Sequence, residues 1–203
     1  MKTYQTFCFD GIPNWEKVPK ANIDCYQWES EQKYRPQNSF QMCMVKNKGI
    51  YVRMKTDETV IRIACRRRDE PVYEDSCLEF FFKPFEERSE YINIEVNAYG
   101  AYLSQFGSGK ENRVFIKSLT EEAPQVKSQI TDNGWQTEIF VPCNLFKDLY
   151  GLEFAADEGD YYGNFYKCGD KTEVYHYGSF APMSQLPPGF HNPDLFAKIT
   201  VSK

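Results

Sequence analysis

The chain has 203 residues, a net charge of −5 and 16% aromatic residues, with 16 Phe and 14 Tyr against 3 Trp. That length suits one domain with its own core. The mild negative charge argues against nucleic acid or an anionic membrane as the main partner, and no apolar run reaches the roughly 18 residues of a membrane helix. Rings favour pleated, half-buried surfaces, so the composition leans toward sheet. Seven cysteines, an odd number with no C-x-x-C pair, read as buried thiols rather than disulfides or a zinc site. With no signal-peptide pattern at the start, they predict a cytoplasmic protein.

In chain order, residues 1–30 read as an N-terminal arm with one short strand at 4–9, packed by Trp15 and Trp28 onto a single domain spanning 1–203. Phe40, Met42 and Met44 alternate along a strand at 38–46. Runs at 49–55 and 60–65 read as strands joined by a polar turn. The charged stretch 66–71 reads as a solvated loop. Two strands with a clean period of two follow. Leu78, Phe80 and Phe82 share one side and Cys77, Glu79 and Phe81 the other. Likewise Ile92, Ile94 and Val96 oppose Tyr91, Asn93, Glu95 and Asn97. If these strands pair, Glu79 and Glu95 share a face. Further strands are predicted at 112–117, 125–130, 134–141, 163–169 and 197–202, with Asn133-Gly134 as a hairpin turn. A short helix is predicted at 144–150 with Asn144 as its cap, and a long ordered loop at 182–193. About ten short strands separated by turn signals predict an all-β fold: an antiparallel β-sandwich of immunoglobulin-like or jelly-roll type with long loops.

Flat rings that stack on a pyranose, beside carboxylates, amides and amines that bond its hydroxyls, make a sugar site. Tyr73, Tyr166 and Phe190 offer the rings; Glu79, Asn97, Lys167, Asp170 and His191 offer the polar groups. Any one of these is more often simple packing or a solvated surface group; the combination is more specific. Lys167 neutralising Glu79 or Glu95 would instead make the polar face a structural network.

The segments EDSCLEFFF (74–82), YINIEVNAYG (91–100), GNFYKCGDKT (163–172) and PPGFHNPDLFAKI (187–199) resemble those of family-9-like carbohydrate-binding proteins. These are bacterial single-domain relatives of the family-9 carbohydrate-binding modules of xylanases. The similarity runs from about residue 40 to the C-terminus. The resemblance implies a sandwich that clamps a terminal sugar between two tryptophans. By motif position Tyr73 and Phe190 fall where those tryptophans sit, and Glu95 falls where the xylanase modules carry an arginine. Those modules also hold structural calcium. Asp157, Glu158 and Asp160, the nearest acidic cluster, form no recognisable calcium loop, so no cofactor is expected.

The sequence therefore predicts non-catalytic binding of a carbohydrate, a terminal sugar or short oligosaccharide, linked to carbohydrate catabolism in a bacterial cytoplasm. The predicted ligand-binding set is Tyr73, Glu79, Glu95, Asn97, Tyr166, Lys167, Asp170, Phe190 and His191. Two other classes compete. One is an interaction or scaffold β-sandwich whose exposed rings bind a partner chain. The other is a glycoside hydrolase using Glu79 and Glu95, since cross-strand neighbours reach catalytic carboxyl separations. A Cys168–His176 nucleophilic pair lacks an orienting acid, and Cys168 reads as a buried thiol. The sequence sets no oligomeric state.

Overall fold

The computed structural model describes residues 1–29, 31–183 and 189–203. Fourteen strands join into one sheet that curls back on itself. They are β1 (Thr3–Phe9), β2 (Ala21–Asn22), β3 (Cys25–Glu29), β4 (Asn38–Val45), β5 (Gly49–Thr56), β6 (Cys77–Lys83) and β7 (Tyr91–Asn97), then β8 (Tyr102–Gly107), β9 (Val114–Phe115), β10 (Gln125–Thr131), β11 (Gly134–Pro142), β12 (Gly159–Cys168), β13 (His176–Ser179) and β14 (Ala197–Ser202). Neighbours run in the order β10-β11-β5-β4-β1-β14-β12-β6-β7-β8-β9, with β2 beside β4 and a β13–β3 pair beside β12.

The sheet is mixed, not purely antiparallel, and both parallel pairings belong to β1. Its first residues, Thr3 to Phe7, pair with β14, and its last, Cys8 and Phe9, pair with β4. Before the β4 ladder begins, two β1 side chains stand in for it. The Tyr4 hydroxyl accepts the Met42 amide at 3.0 Å and the Thr6 hydroxyl donates to the Met42 carbonyl. Both backbone groups of Met42 at the crossing thus have partners. The stretch expected as an arm thus contributes the seam that joins the two halves of the sheet.

The halves face one another across the main core. Phe40 of β4 stacks on Phe165 of β12 with ring centroids 3.5 Å apart, and Phe165 in turn stacks on Phe80 of β6 at 5.2 Å. A second apolar cluster lies on the other face of β6, β7 and β12, built from Phe81, Tyr91, Tyr166, Phe190, Phe196 and Trp28. These strands are consequently buried on both faces, and every residue of β7 is buried.

Several expected elements differ. Residues 60–65 form no strand, because side chains take over their backbone bonding. The Asp75 carboxylate accepts the Ala64 and Cys65 amides, each at 2.9 Å, and the Ser76 hydroxyl accepts the Arg62 amide at 3.0 Å. The strand expected at 112–117 shortens to β9, followed by a 3-10 turn at Ile116–Ser118. Helix α1 (Cys143–Tyr150) has Pro142 before it and no side-chain cap, so Asn144 does not cap it; Gly151, at φ +67°, ends it in the left-handed conformation that glycine tolerates. The predicted hairpin at Asn133-Gly134 joins β10 to β11, with Thr131 opposite Gly134. Of the proline-rich stretch 182–193, residues 184–188 lie outside the described residues.

One buried polar cluster pins the 57–70 segment to the main core. Glu58 is 1% exposed. It meets Lys167 Nζ at 3.0 Å, accepts the Trp135 indole N–H at 3.2 Å and lies 3.5 Å from His176 Nε2. Removing one partner of a buried ion pair leaves the other charge uncompensated. Glu58→Gln is therefore expected to destabilise the fold by about 3–5 kcal/mol, measured as a lowered urea midpoint.

Candidate functional site

Strand register places one polar row on the second face of the sheet. Tyr166 lies opposite Glu79, Glu79 opposite Glu95, and Glu95 opposite Leu103. The adjoining row is Cys168, Cys77 and Asn97, and beyond the carboxylates comes Phe81, Asn93 and Gln105. Over these rows opens a cleft of about 720 Å³. Its floor is Glu79, Glu95, Leu103 and Cys168, and its walls come from loops remote in sequence.

One wall carries Tyr73, which stands 39% exposed on a 3-10 turn, Val72–Glu74. That turn is tied to the end of β12, since the Asp170 amide donates to the Tyr73 carbonyl and the Lys171 amide to the Glu74 carbonyl, each at 3.1 Å. A second wall carries Phe190 and His191. The Phe190 ring lies flat on Tyr166 at 4.0 Å and tilts against Trp28 at 5.7 Å, leaving it 9% exposed. His191 Nδ1 is 2.9 Å from the Tyr91 hydroxyl, and its ring leans on Phe81 at 4.9 Å. The third side is the β8–β9 connection, with Lys110, Asn112 and Arg113. Arg113 lies over the Tyr91 ring at 4.4 Å and donates to Asn93 Oδ1 from Nε at 2.9 Å; the Asn93 amide then donates to Glu95 Oε1 at 2.7 Å.

Of the nine residues expected to bind ligand, Tyr73, Glu79, Glu95, Asp170, Phe190 and His191 line this cleft. Asn97, Tyr166 and Lys167 do not, for three different reasons. Strand alternation sends Lys167 to the opposite face of β12 from Tyr166 and Cys168, where it meets Glu58 rather than Glu79 or Glu95. Tyr166 is on the cleft side but lies under Phe190, its hydroxyl donating to the Phe190 carbonyl at 3.1 Å. Asn97 is fully committed at the β7–β8 turn: its amide donates to Cys65 O and Asp75, and its carbonyl accepts the Tyr99 and Ala101 amides.

Carbohydrate-binding family 9 matches residues 9–201. The chain belongs to that family. Among solved structures it is similar to a candidate carbohydrate-binding protein from Bacteroides uniformis, at 22% identity and TM-score 0.83, with 99% of each chain covered. It is also similar to a family-9 module from Caldicellulosiruptor kristjanssonii. In the complex of that module with cellotriose, identity is 13% and TM-score 0.69 over 98% of this chain and 93% of that one. In its complex with glucose they are 12% and 0.70, over 99% and 96%. At these identities the likeness is one of fold. No curated protein matches the chain.

Sequence reasoning about this family-9 chain missed part of the cleft lining, namely Asp69, Gln105, Lys110, Asn112, Arg113 and Tyr177. The usable signal was the alternation of Leu103 and Gln105, which marks β8 as a further strand beside Glu95. Elsewhere, the acidic residues 157–160 face lysines: Asp157 pairs with Lys46, Glu158 with Lys203 and Asp160 with Lys198. Among the described residues the donor group close enough to hold a metal is instead Cys77, Glu79 and Cys168, whose ligand atoms lie within 4.8 Å of one another. There the Cys168 thiol donates to Glu79 Oε1 at 2.8 Å, and burial pushes both thiols well up.

Burial also governs the acids. It raises Glu79 well above the ordinary carboxylate range, with Cys168 and Glu95 adding to the effect. It raises Glu95 to about 7, against the opposing pull of the Asn93 bond and Arg113. Asp170 is raised by burial, and Tyr177 bonds it. His191 drops to about 3, through burial and then Arg113 and Lys110.

These shifts carry a sign. Between the ordinary value of 4.5 and about 7, folded Glu95 holds a proton that the unfolded chain has released, so stability falls as pH rises through that window. Buried His176 and His191, lowered from 6.5 to about 4 and about 3, act in the opposite sense below 6.5. Comparison with Glu95→Gln separates the two effects. Between pH 5 and pH 8 the stability difference should move by about 2–3 kcal/mol in favour of the variant, read from urea unfolding of both proteins.

Proposed function

We propose that this family-9 chain is a non-catalytic carbohydrate receptor that takes a terminal sugar or short oligosaccharide into the cleft between Tyr73 and Phe190. The observation that carries this reading is the convergence, over one polar floor, of an exposed ring, an apolar ring wall and four carboxyl side chains from segments about a hundred residues apart. Tyr73 offers its face to the apolar side of a sugar ring, and Phe190 backs the opposite wall. Glu79, Glu95 and Asp170 accept hydroxyls, while Gln105, Asn112 and Arg113 reach in from the third side. The complexes of the Caldicellulosiruptor kristjanssonii module with cellotriose and glucose support a sugar of that kind. The seven free thiols support a reducing, cytoplasmic setting, with the bound sugar destined for catabolism.

Hydrolysis is the weaker reading of the Glu79–Glu95 pair. A glycosidase sets its two carboxyls on either side of the scissile bond, one ionised and one protonated. Here both stand side by side in one row of the floor, and burial raises both. A scaffold role would use exposed rings outside the cleft, where Tyr99 and Tyr175 stand; the sugar reading is favoured because Tyr73 lines the cleft together with the carboxyls.

Trp28, packed against Phe190, provides an optical reporter. Titrating glucose and cellotriose should change tryptophan emission saturably and release heat in a calorimeter. Tyr73→Ala should weaken binding about tenfold, the equivalent of one lost aromatic contact. Flat titrations across a broad panel of neutral and charged sugars would remove the proposal, and turnover of aryl glycosides that vanishes in Glu79→Gln would replace it with the hydrolase reading.

A further inference from the structure

Resting on the carbohydrate reading above, we infer that the cleft is built for an amino sugar, with the ligand's ammonium group seated over the facing Glu79 and Glu95 carboxyls. Neutral sugars would then be the weaker ligands.

The argument starts from an imbalance on the floor. Glu79 and Glu95 are direct cross-strand partners, 3% and 4% exposed, and both line the cleft. Glu95 Oε1 accepts the Asn93 amide, but Glu95 Oε2 is buried without a hydrogen-bond partner. On Glu79, Oε1 accepts only a thiol, the Cys168 S–H, which is a weak donor. Asp170 and Asp69 add two further carboxyls to the walls, the latter paired with Lys117.

Apart from Lys110, the cations around the cleft are committed elsewhere. Arg113 donates to Asn93 Oδ1 and to the carbonyls of Tyr91, Gln105, Gly107 and Gly109. Lys117 is paired with Asp69 and Lys171 with Glu74. Lys167 is on the far face with Glu58. Lys110 is exposed on the rim.

Two facing buried carboxyls cannot both ionise without a counter-charge. A neutral hydroxyl supplies one donor and no charge. A primary ammonium supplies three donors and the missing charge, in bonds roughly twice as strong as neutral ones. It also suits a site whose open positions here are acceptors. N-acetylation would remove both the charge and two of the donors.

The test is calorimetric titration at pH 7 with glucosamine, glucose and N-acetylglucosamine. The expected result is glucosamine binding at least about tenfold tighter than glucose, with N-acetylglucosamine showing no such gain. In Glu95→Gln the glucosamine-to-glucose affinity ratio should fall toward one, with circular dichroism confirming the fold. Glucose binding as tightly as glucosamine, or tighter, overturns the amine preference and leaves the sugar receptor standing. A ratio unchanged in Glu95→Gln overturns the assigned seat. Absence of binding by all three overturns both.

Discussion

A sheet buried on both faces must account for every side chain that alternates onto its second face, and that constraint organises this molecule. On β6, β7 and β12 the first face is apolar apart from Lys167 and meets the opposite half of the curled sheet through Phe80, Phe82, Ile94 and Phe165. The second face carries Glu79, Asn93, Glu95 and Asn97. Burial without partners would cost free energy at each of them. The protein answers in two ways. Toward the β7–β8 turn, Asn97 is saturated by backbone groups and Asp75. In the middle of the sheet, the apolar cover is interrupted over Glu79 and Glu95 and a cleft opens there. The site is the place where the second core is left incomplete.

The walls of that opening are held by anchors on both faces of the sheet. The segment between β5 and β6 is tethered at its start by Glu58, which reaches Lys167 and Trp135 in the main core. It is tethered near its end by Asp75, which gathers the Ala64 and Cys65 amides and the Asn97 side chain. Between these two fastenings lie Asp69, Pro71 and Tyr73, all on the rim of the cleft. The aromatic wall is therefore positioned by buried polar contacts on both sides of β6 rather than by the local stiffness of the chain. Phe190 is placed differently, by stacking on Tyr166 and Trp28. One wall is set by hydrogen bonds and the other by ring packing.

Much of this was legible in the sequence because period-two alternation is a strong signal. The β6 and β7 patterns gave the right faces, and the Glu79–Glu95 pairing followed from them. The same alternation sends Tyr166 and Lys167 to opposite faces, so Lys167 meets Glu58 rather than the cleft carboxyls. Tyr166 and Asn97 failed for another reason: whether a polar side chain is open or committed depends on loops that fold over it, and no local pattern encodes that. Residues 60–65 look like a strand by composition, but Asp75 and Ser76, 10 to 14 residues on, capture their amides. Arg113 falls in the strand expected at 112–117, which shortens to β9, and the return of β8 into β9 brings it over Tyr91. The switch of β1 between β14 and β4 is likewise tertiary, since nothing in seven residues announces two partners.

The pair at the floor makes sense as a trade between stability and binding. A fold optimised only for stability would replace one of two facing buried carboxyls by an amide or an apolar residue, because each raises the cost of ionising the other. Groups kept in such strained electrostatic surroundings cluster where they have a partner to meet. The surroundings here fit that logic. Asn93 and Arg113 relieve Glu95 in part, by an amide bond and a charge one residue removed, while Glu79 has only the weak thiol bond from Cys168. None neutralises them. The relief that is missing has the size and sign of a small cationic donor, and the cleft leaves room for it beside the Tyr73 ring. In the amine reading proposed above, affinity would come from a ligand charge that favours ionisation of acids raised by burial, so local instability and ligand preference would share one physical origin.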